Sequence, residues 1–146
     1  MAEITILDYG NAQEDQGSLD GINRLLAMLS GKAKPMKLDE MYRMIKSETW
    51  TFLAWVDGKI VGMASMAVVC QPIGIVCHVE DVVVDEEYRG QGISKELMLA
   101  LIAMLPEGWR QLDLTSNPNR AAAHGLYEKL GFKLRETGNY RLSPAK

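Results

Sequence analysis

Three groups of residues in this chain have the types and spacing that chemistry needs. The first is the run Arg89-Gly90-Gln91-Gly92-Ile93-Ser94, which joins an apolar strand pattern directly to an apolar helix pattern through a turn holding two glycines. Amide N–H groups at a helix start point outward without partners. The helix dipole adds partial positive charge there, and glycines let an anion approach without a Cβ in the way. Arg89 adds a charge-assisted donor. The second group is Glu80 and Asp81, set with His78 in a stretch that is otherwise apolar over residues 75–84. A carboxylate isolated on an apolar strand has its pKa raised by desolvation, toward the range of a general base. Glu80 is therefore either a base or an ordinary strand carboxylate that pairs with a neighbour or reaches solvent. The third is Tyr127, a phenol that stays protonated at neutral pH, and it is either a proton donor or a core side chain packing a helix onto a sheet. His124, one turn earlier, is read as solvated or structural.

The elements that must position these groups follow from periodicity. Residues 3–7 alternate as a strand, and Ile22, Leu25, Leu26 and Leu29 give a helix over 19–29. Met36, Leu38, Met41, Met44 and Ile45 predict a second helix ending before Trp50. Residues 51–56 and 60–69 are rich in β-formers and flank Asp57-Gly58, a pair suited to a tight hairpin. A further turn, Gln71-Pro72-Ile73-Gly74, leads into the strand over 75–84. Ile93, Leu97, Leu101 and Leu105 then predict a helix, and residues 111–114 a short strand. Asn117 before Pro118 reads as a helix cap followed by proline at the first helical position, with the helix running to Leu130 and stopping at Gly131. Residues 132–134 and 140–142 are candidate final strands. This mixed order of strands and helices argues for an α/β domain.

Bulk properties exclude several classes. A chain of 146 residues, 47% hydrophobic, can bury a core of its own, so one domain over 1–146 is expected. The net charge is −3 and no Lys/Arg run exceeds two residues, which gives no footprint for nucleic acid or an anionic membrane. The longest apolar run, nine residues over 97–105, is about half of a membrane span. Acids at Glu3 and Asp8 stand where a signal peptide carries a basic stretch, so the expected location is cytoplasmic. Cys70 and Cys77 flank one turn and could face each other, but they give neither metal spacing nor a disulfide framework.

The turn over 89–94 meets neither G-x-G-x-x-G nor G-x-x-x-x-G-K-[ST]. It resembles the phosphate loop of the GNAT superfamily: Arg or Gln, two residues, Gly, one residue, then Gly or Ala. Ser94 is the one departure and is also small. A second match lies at Leu126-Tyr127-Glu128-Lys129-Leu130-Gly131-Phe132, which reads letter for letter like the end of that family's closing helix. The run over 78–84 resembles glucosamine phosphate N-acetyltransferases in particular. Together with the hairpin over 57–62, the resemblance covers roughly residues 50–135, and the first 48 residues match only in element order.

What the resemblance implies is a mixed, mostly antiparallel sheet with splayed central strands and helices on both faces. It also implies transfer of an acetyl group from acetyl coenzyme A to a primary amine of a small molecule, directly and without a metal. Gly90, Gln91, Gly92, Ile93 and Ser94, with Arg89, would hold the pyrophosphate. The backbone of Val82, Val83 and Val84 would hold the thioester carbonyl, and Asn117 and Arg120 would touch the coenzyme. Arg120 stands where many members have Asn and resembles the subgroup with Arg there, so the asparagine contact to pantetheine does not transfer. Glu80 would deprotonate the amine, Asp81 would lie against the acceptor, and Tyr127 would protonate the departing thiolate. If pairing is regular, Glu80 shares its face with His78, Val82 and Val84; a bulge, common on this strand in the family, changes that parity. Paired dimers occur among similar proteins, which adds a homodimer to the expectations. Two rival readings stay open: acetylation of a peptide or protein amine, and a non-catalytic domain that binds or senses acyl coenzyme A.

Overall fold

A computed structural model describes residues 2–117 and 119–145, which fall into two units, Met1–Thr115 and Ser116–Lys146. The first unit contains β1 (Glu3–Ile6), α1 (Ala12–Leu29), α2 (Leu38–Lys46), β2 (Thr49–Val56), β3 (Lys59–Gln71), β4 (Gly74–Val84), a 3-10 turn (Glu86–Tyr88), α3 (Ile93–Ala103) and β5 (Trp109–Asp113). The five strands lie side by side in chain order. All neighbours are antiparallel except β4 and β5, which run parallel. This is the mixed, mostly antiparallel sheet expected of the sequence.

The β2–β3 hairpin forms where Asp57-Gly58 allows it. Both residues take positive φ, 49° and 74°, as a two-residue turn matched to strand twist requires. Leu53, Ile60, Met63 and Val83 present one face of the sheet to Leu19, Ile22 and Leu25 of α1 and Met41 of α2, forming a buried apolar cluster. The other face meets α3: a Cβ placed on Gly62 would lie 3.2 Å from both Ile93 Cγ2 and Leu97 Cδ1. Helices thus cover both faces. The cysteines do not face each other. Cys70 pairs with Ile75 and Cys77 with Val68, two register steps apart, and both are free.

Helix α1 begins seven residues before the expected start at 19. Asn11 caps it: its Oδ1 accepts the Glu14 N–H at 2.8 Å while Glu14 Oε2 accepts the Asn11 N–H at 3.2 Å, a reciprocal box. The polar first turns are held by a buried carboxylate rather than by apolar spacing. Asp15 accepts from the Gly10 N–H at 2.8 Å and from the Tyr42 hydroxyl at 2.6 Å. Replacing Asn11 with alanine should lower stability by about 1 kcal/mol in urea denaturation, since the Glu14 N–H loses its side-chain acceptor at an exposed cap.

The second unit contains α4 (Ala121–Lys129). It ends as expected at Gly131, φ 96°, where the Phe132 N–H donates to Tyr127 O at 3.0 Å and the Gly131 N–H to Glu128 O at 3.1 Å. Its start differs from the expectation. Asn117 caps a turn, with Oδ1 accepting the Asn119 N–H at 2.9 Å, but the helix begins only after Arg120. Pro118, read as the first helical residue, lies outside the described residues. The two strands expected over 132–134 and 140–142 are absent among the described residues. Leu134, Tyr140 and Leu142 are 94%, 98% and 99% exposed, so neither a ladder partner nor burial holds these short runs extended.

Candidate active site

At the start of α3 the first intrahelical bond runs from the Glu96 N–H to Gly92 O at 3.0 Å. The amides of Ile93, Ser94 and Lys95 therefore lie outside the helix ladder, and among the described residues none of them finds another acceptor. Gly90 and Gly92 take φ of 79° and 81°, and no atom lies within 4 Å of where a Cβ would sit on either. The glycines serve the backbone path and leave open space where their side chains would stand. Arg89 donates its Nε to Val84 O at 3.1 Å, tying the loop to the end of the strand that leads into it. The start of α3 thus presents amides without acceptors among the described residues at the position where the sequence suggests an anion site.

On β4, two residues oppose one on β3. Met63 faces Val83 and Ser65 faces Glu80, so Asp81 and Val82 together stand opposite Ala64. Asp81 takes up the extra length with φ 53°, a left-handed conformation that Asp tolerates better than most residues. This bulge settles the parity. Glu80 shares its face with His78 and, past the bulge, with Val83, while Val84 pairs with Gly62 on the face toward α3. Strand β5 reaches only from Ile75 to His78 of β4, so the β4 edge over residues 79–84 has no strand beside it in this unit. The pairing stops where β5 ends at Asp113, and it leaves Val82, Val83 and Val84 with main-chain groups on an edge that no strand of this unit covers.

Glu80 is exposed, not buried. The apolar sequence around it does not bury it: Glu80 meets solvent although Val79 before it, Ser65 beside it in register and Val83 past the bulge are each 5% exposed. Glu80 ends a polar row that the sequence reading missed, Thr51–Ser65–Glu80 across β2, β3 and β4. Thr51 and Ser65 are buried with their hydroxyls 3.0 Å apart. The signal for such a row is a register, which no single strand carries.

Asp85, also missed, follows β4 directly. It is buried and accepts from Arg24 Nη1 and from the Glu87 N–H, with Lys59 Nζ 3.6 Å away. Burial pushes its carboxyl up, but the Glu87 N–H, Arg24 and Lys59 outweigh that and hold it below the usual carboxylate range.

In the second unit, Asn117 and Arg120 are exposed, and Arg120 O accepts the His124 N–H at 3.1 Å. Tyr127 stacks edge-on against Phe132 with ring centroids 5.9 Å apart. Burial pushes its hydroxyl above the ordinary phenol range, with Arg120 pulling weakly the other way.

The family model described as Acetyltransferase (GNAT) family matches residues 20–132. The glucosamine 6-phosphate N-acetyltransferase of Trypanosoma brucei brucei is 36% identical over 103 residues, 66% of this chain and 67% of that protein. An acetyltransferase from Trypanosoma brucei, solved by crystallography, superposes with a TM-score of 0.78 at 28% identity, covering 99% of this chain and 100% of that one. An aminoglycoside acetyltransferase from an uncultured soil metagenomic sample, crystallised with sisomicin, gives a TM-score of 0.82 over 99% of this chain and 97% of its own, at 18% identity.

Proposed function

The chain belongs to the acetyltransferase (GNAT) family of acyl coenzyme A-dependent N-acetyltransferases, and from that premise we propose that it transfers acetyl groups directly to the primary amine of a small molecule, as one domain over 1–146. Acetyl coenzyme A, when bound, supplies the acetyl group as an activated thioester. The observation that carries the reading is the set of amides at Ile93, Ser94 and Lys95, unpaired among the described residues at a helix start behind two positive-φ glycines. A diphosphate is the ligand such a cradle fits. Gly90, Gln91, Gly92 and Arg89 complete it, and Asn117 and Arg120 add contacts to the coenzyme.

The remaining roles rest on each residue's own chemistry. An alkylammonium with a pKa near 10 must lose a proton before it attacks a carbonyl carbon. Glu80 takes that proton, through water, since an exposed carboxylate beside a bulge is reachable by solvent and acceptor alike. Asp81 contacts the acceptor. Main-chain groups of Val82, Val83 and Val84 hold the carbonyl oxygen as it gains charge. Tyr127 Oη gives its proton to the departing thiolate.

The 36% identical relative is named for glucosamine 6-phosphate, which supports an amino sugar or similar small amine as acceptor. A net charge of −3 supports a small-molecule partner rather than nucleic acid or a membrane, and no helix among the described residues is long and apolar enough to cross a bilayer. The reading includes a cytoplasmic location.

Acetyl coenzyme A at a hundredfold over its dissociation constant should stabilise the fold by about 2.7 kcal/mol, raising Tm by several degrees in a thermal scan. Absence of any shift would remove the coenzyme reading. Thiol release should then appear with at least one amine across amino sugars, aminoalkyl phosphonates, polyamines and N-terminal peptides. Release with peptides alone would move the acceptor to a protein amine, and binding without release would favour a sensing domain.

A further inference from the structure

Asp85 stands where β4 ends and the turn before the glycine loop begins, and it is only 2% exposed. None of the proposed chemical steps uses it. A buried carboxylate is unfavourable unless its oxygens are paired, and here the partners come from three separate elements. Oδ1 accepts the Glu87 N–H of the 3-10 turn at 3.0 Å. Oδ2 accepts Arg24 Nη1 from α1 and lies 3.6 Å from Lys59 Nζ of the β2–β3 hairpin. The Asp85 backbone continues the pattern, donating to Val61 O at 2.8 Å and accepting the Tyr88 N–H at 2.9 Å. Arg24 Nη2 also reaches Ile60 O, and Lys59 Nζ sits 5.6 Å from the centre of the Tyr88 ring. The turn over 86–88 is thus held by a helix, a hairpin and its own strand at once.

The loop that follows needs such an anchor. Gly90 and Gly92 are the residues that lose most conformational freedom on ordering, and no atom within 4 Å of their Cβ positions braces them. A loop left free would be ordered only on binding, and that ordering would subtract from affinity. We propose that Asp85, clamped by Arg24 and Lys59, is a positioning residue for the coenzyme-binding loop, fixing the turn over 86–88 so that the amides over 93–95 are aimed before the ligand arrives. The inference rests on the coenzyme reading of that loop.

The test compares one ligand that carries the diphosphate with one that lacks it together with its nucleotide. Coenzyme A is titrated by calorimetry, and S-acetylpantetheine, which lacks the diphosphate, by ligand-observed NMR, into wild type, Asp85→Asn, Arg24→Gln and Arg24→Lys. Coenzyme A should bind Asp85→Asn and Arg24→Gln about tenfold more weakly than wild type, with S-acetylpantetheine unchanged and Arg24→Lys recovering part of the loss. Arg24 is 34% exposed, so its variants keep the comparison open should Asp85→Asn fail to fold. Equal weakening of both ligands, or no change in either, overturns the positioning role while the coenzyme reading stands. Wild type that does not bind coenzyme A overturns both.

Discussion

Replacing Gly92 with valine is expected to weaken coenzyme A binding by about a hundredfold or more, measured by calorimetric titration, while the chain keeps its fold. Gly92 is the cap of α3 and sits at φ 81°, ψ 12°. A β-branched residue is strained there by about 1–2 kcal/mol, because its Cβ crowds the following carbonyl in the left-handed conformation. That strain is relieved by a backbone rotation, and the rotation swings the Ile93 and Ser94 amides out of convergence. Each hydrogen bond to a charged group contributes about 1.5–3 kcal/mol, so loss of one together with the strain reaches about 3 kcal/mol, a hundredfold in affinity. The helix itself should survive, since Leu97, Met98 and Leu101 are fully buried and hold α3 against the sheet independently of its cap. Circular dichroism separates the outcomes. A folded Gly92→Val protein that binds coenzyme A as tightly as wild type would mean that the amides at this helix start are not what grips the ligand.

What could be read from the sequence was whatever the chain states locally. Asp57-Gly58 demanded positive φ at both residues and received it. The glycine loop, the helix after it and the stop at Gly131 are likewise short-range matters of backbone freedom and apolar period. The features that escaped depend on partners far along the chain. The first turns of α1 carry no apolar stripe, and Asp15 anchors them by reaching Tyr42, 27 residues away. Asp85 finds Arg24 across 61 residues. The bulge at Asp81 and Val82 was anticipated only as a condition, because one strand cannot reveal how many residues its neighbour sets against it. Glu80 shows what that costs in practice. Its apolar neighbours in sequence are buried on both sides of β4, Val79 on one and Val83 on its own, yet the carboxylate itself meets solvent. The unpaired stretches after Gly131 make the complementary point, since a run of β-formers becomes a strand only when a ladder accepts it.

The proton balance of the reaction yields the other large effect. Tyr127→Phe should lower kcat by about a hundredfold with coenzyme A affinity nearly unchanged, because a general acid contributes roughly 10²–10⁴ in rate and phenylalanine keeps the ring. The edge-on contact with Phe132, centroids 5.9 Å apart, does not involve the hydroxyl, so the variant loses a proton rather than a packing partner. The direction of the pKa shift supplies a second readout. Burial raises the Tyr127 hydroxyl above the ordinary phenol value, so the residue stays protonated through neutral and mildly basic pH and releases its proton only in strong base. A group needed in its protonated form gives a rate that is flat below its pKa and falls above it. Wild type should therefore show a basic limb in kcat, beyond the pH at which an ordinary phenol ionises, that is missing from Tyr127→Phe. If turnover and the basic limb are both the same in the two proteins, the thiolate takes its proton from water, and Tyr127 is the core side chain that the sequence equally allowed.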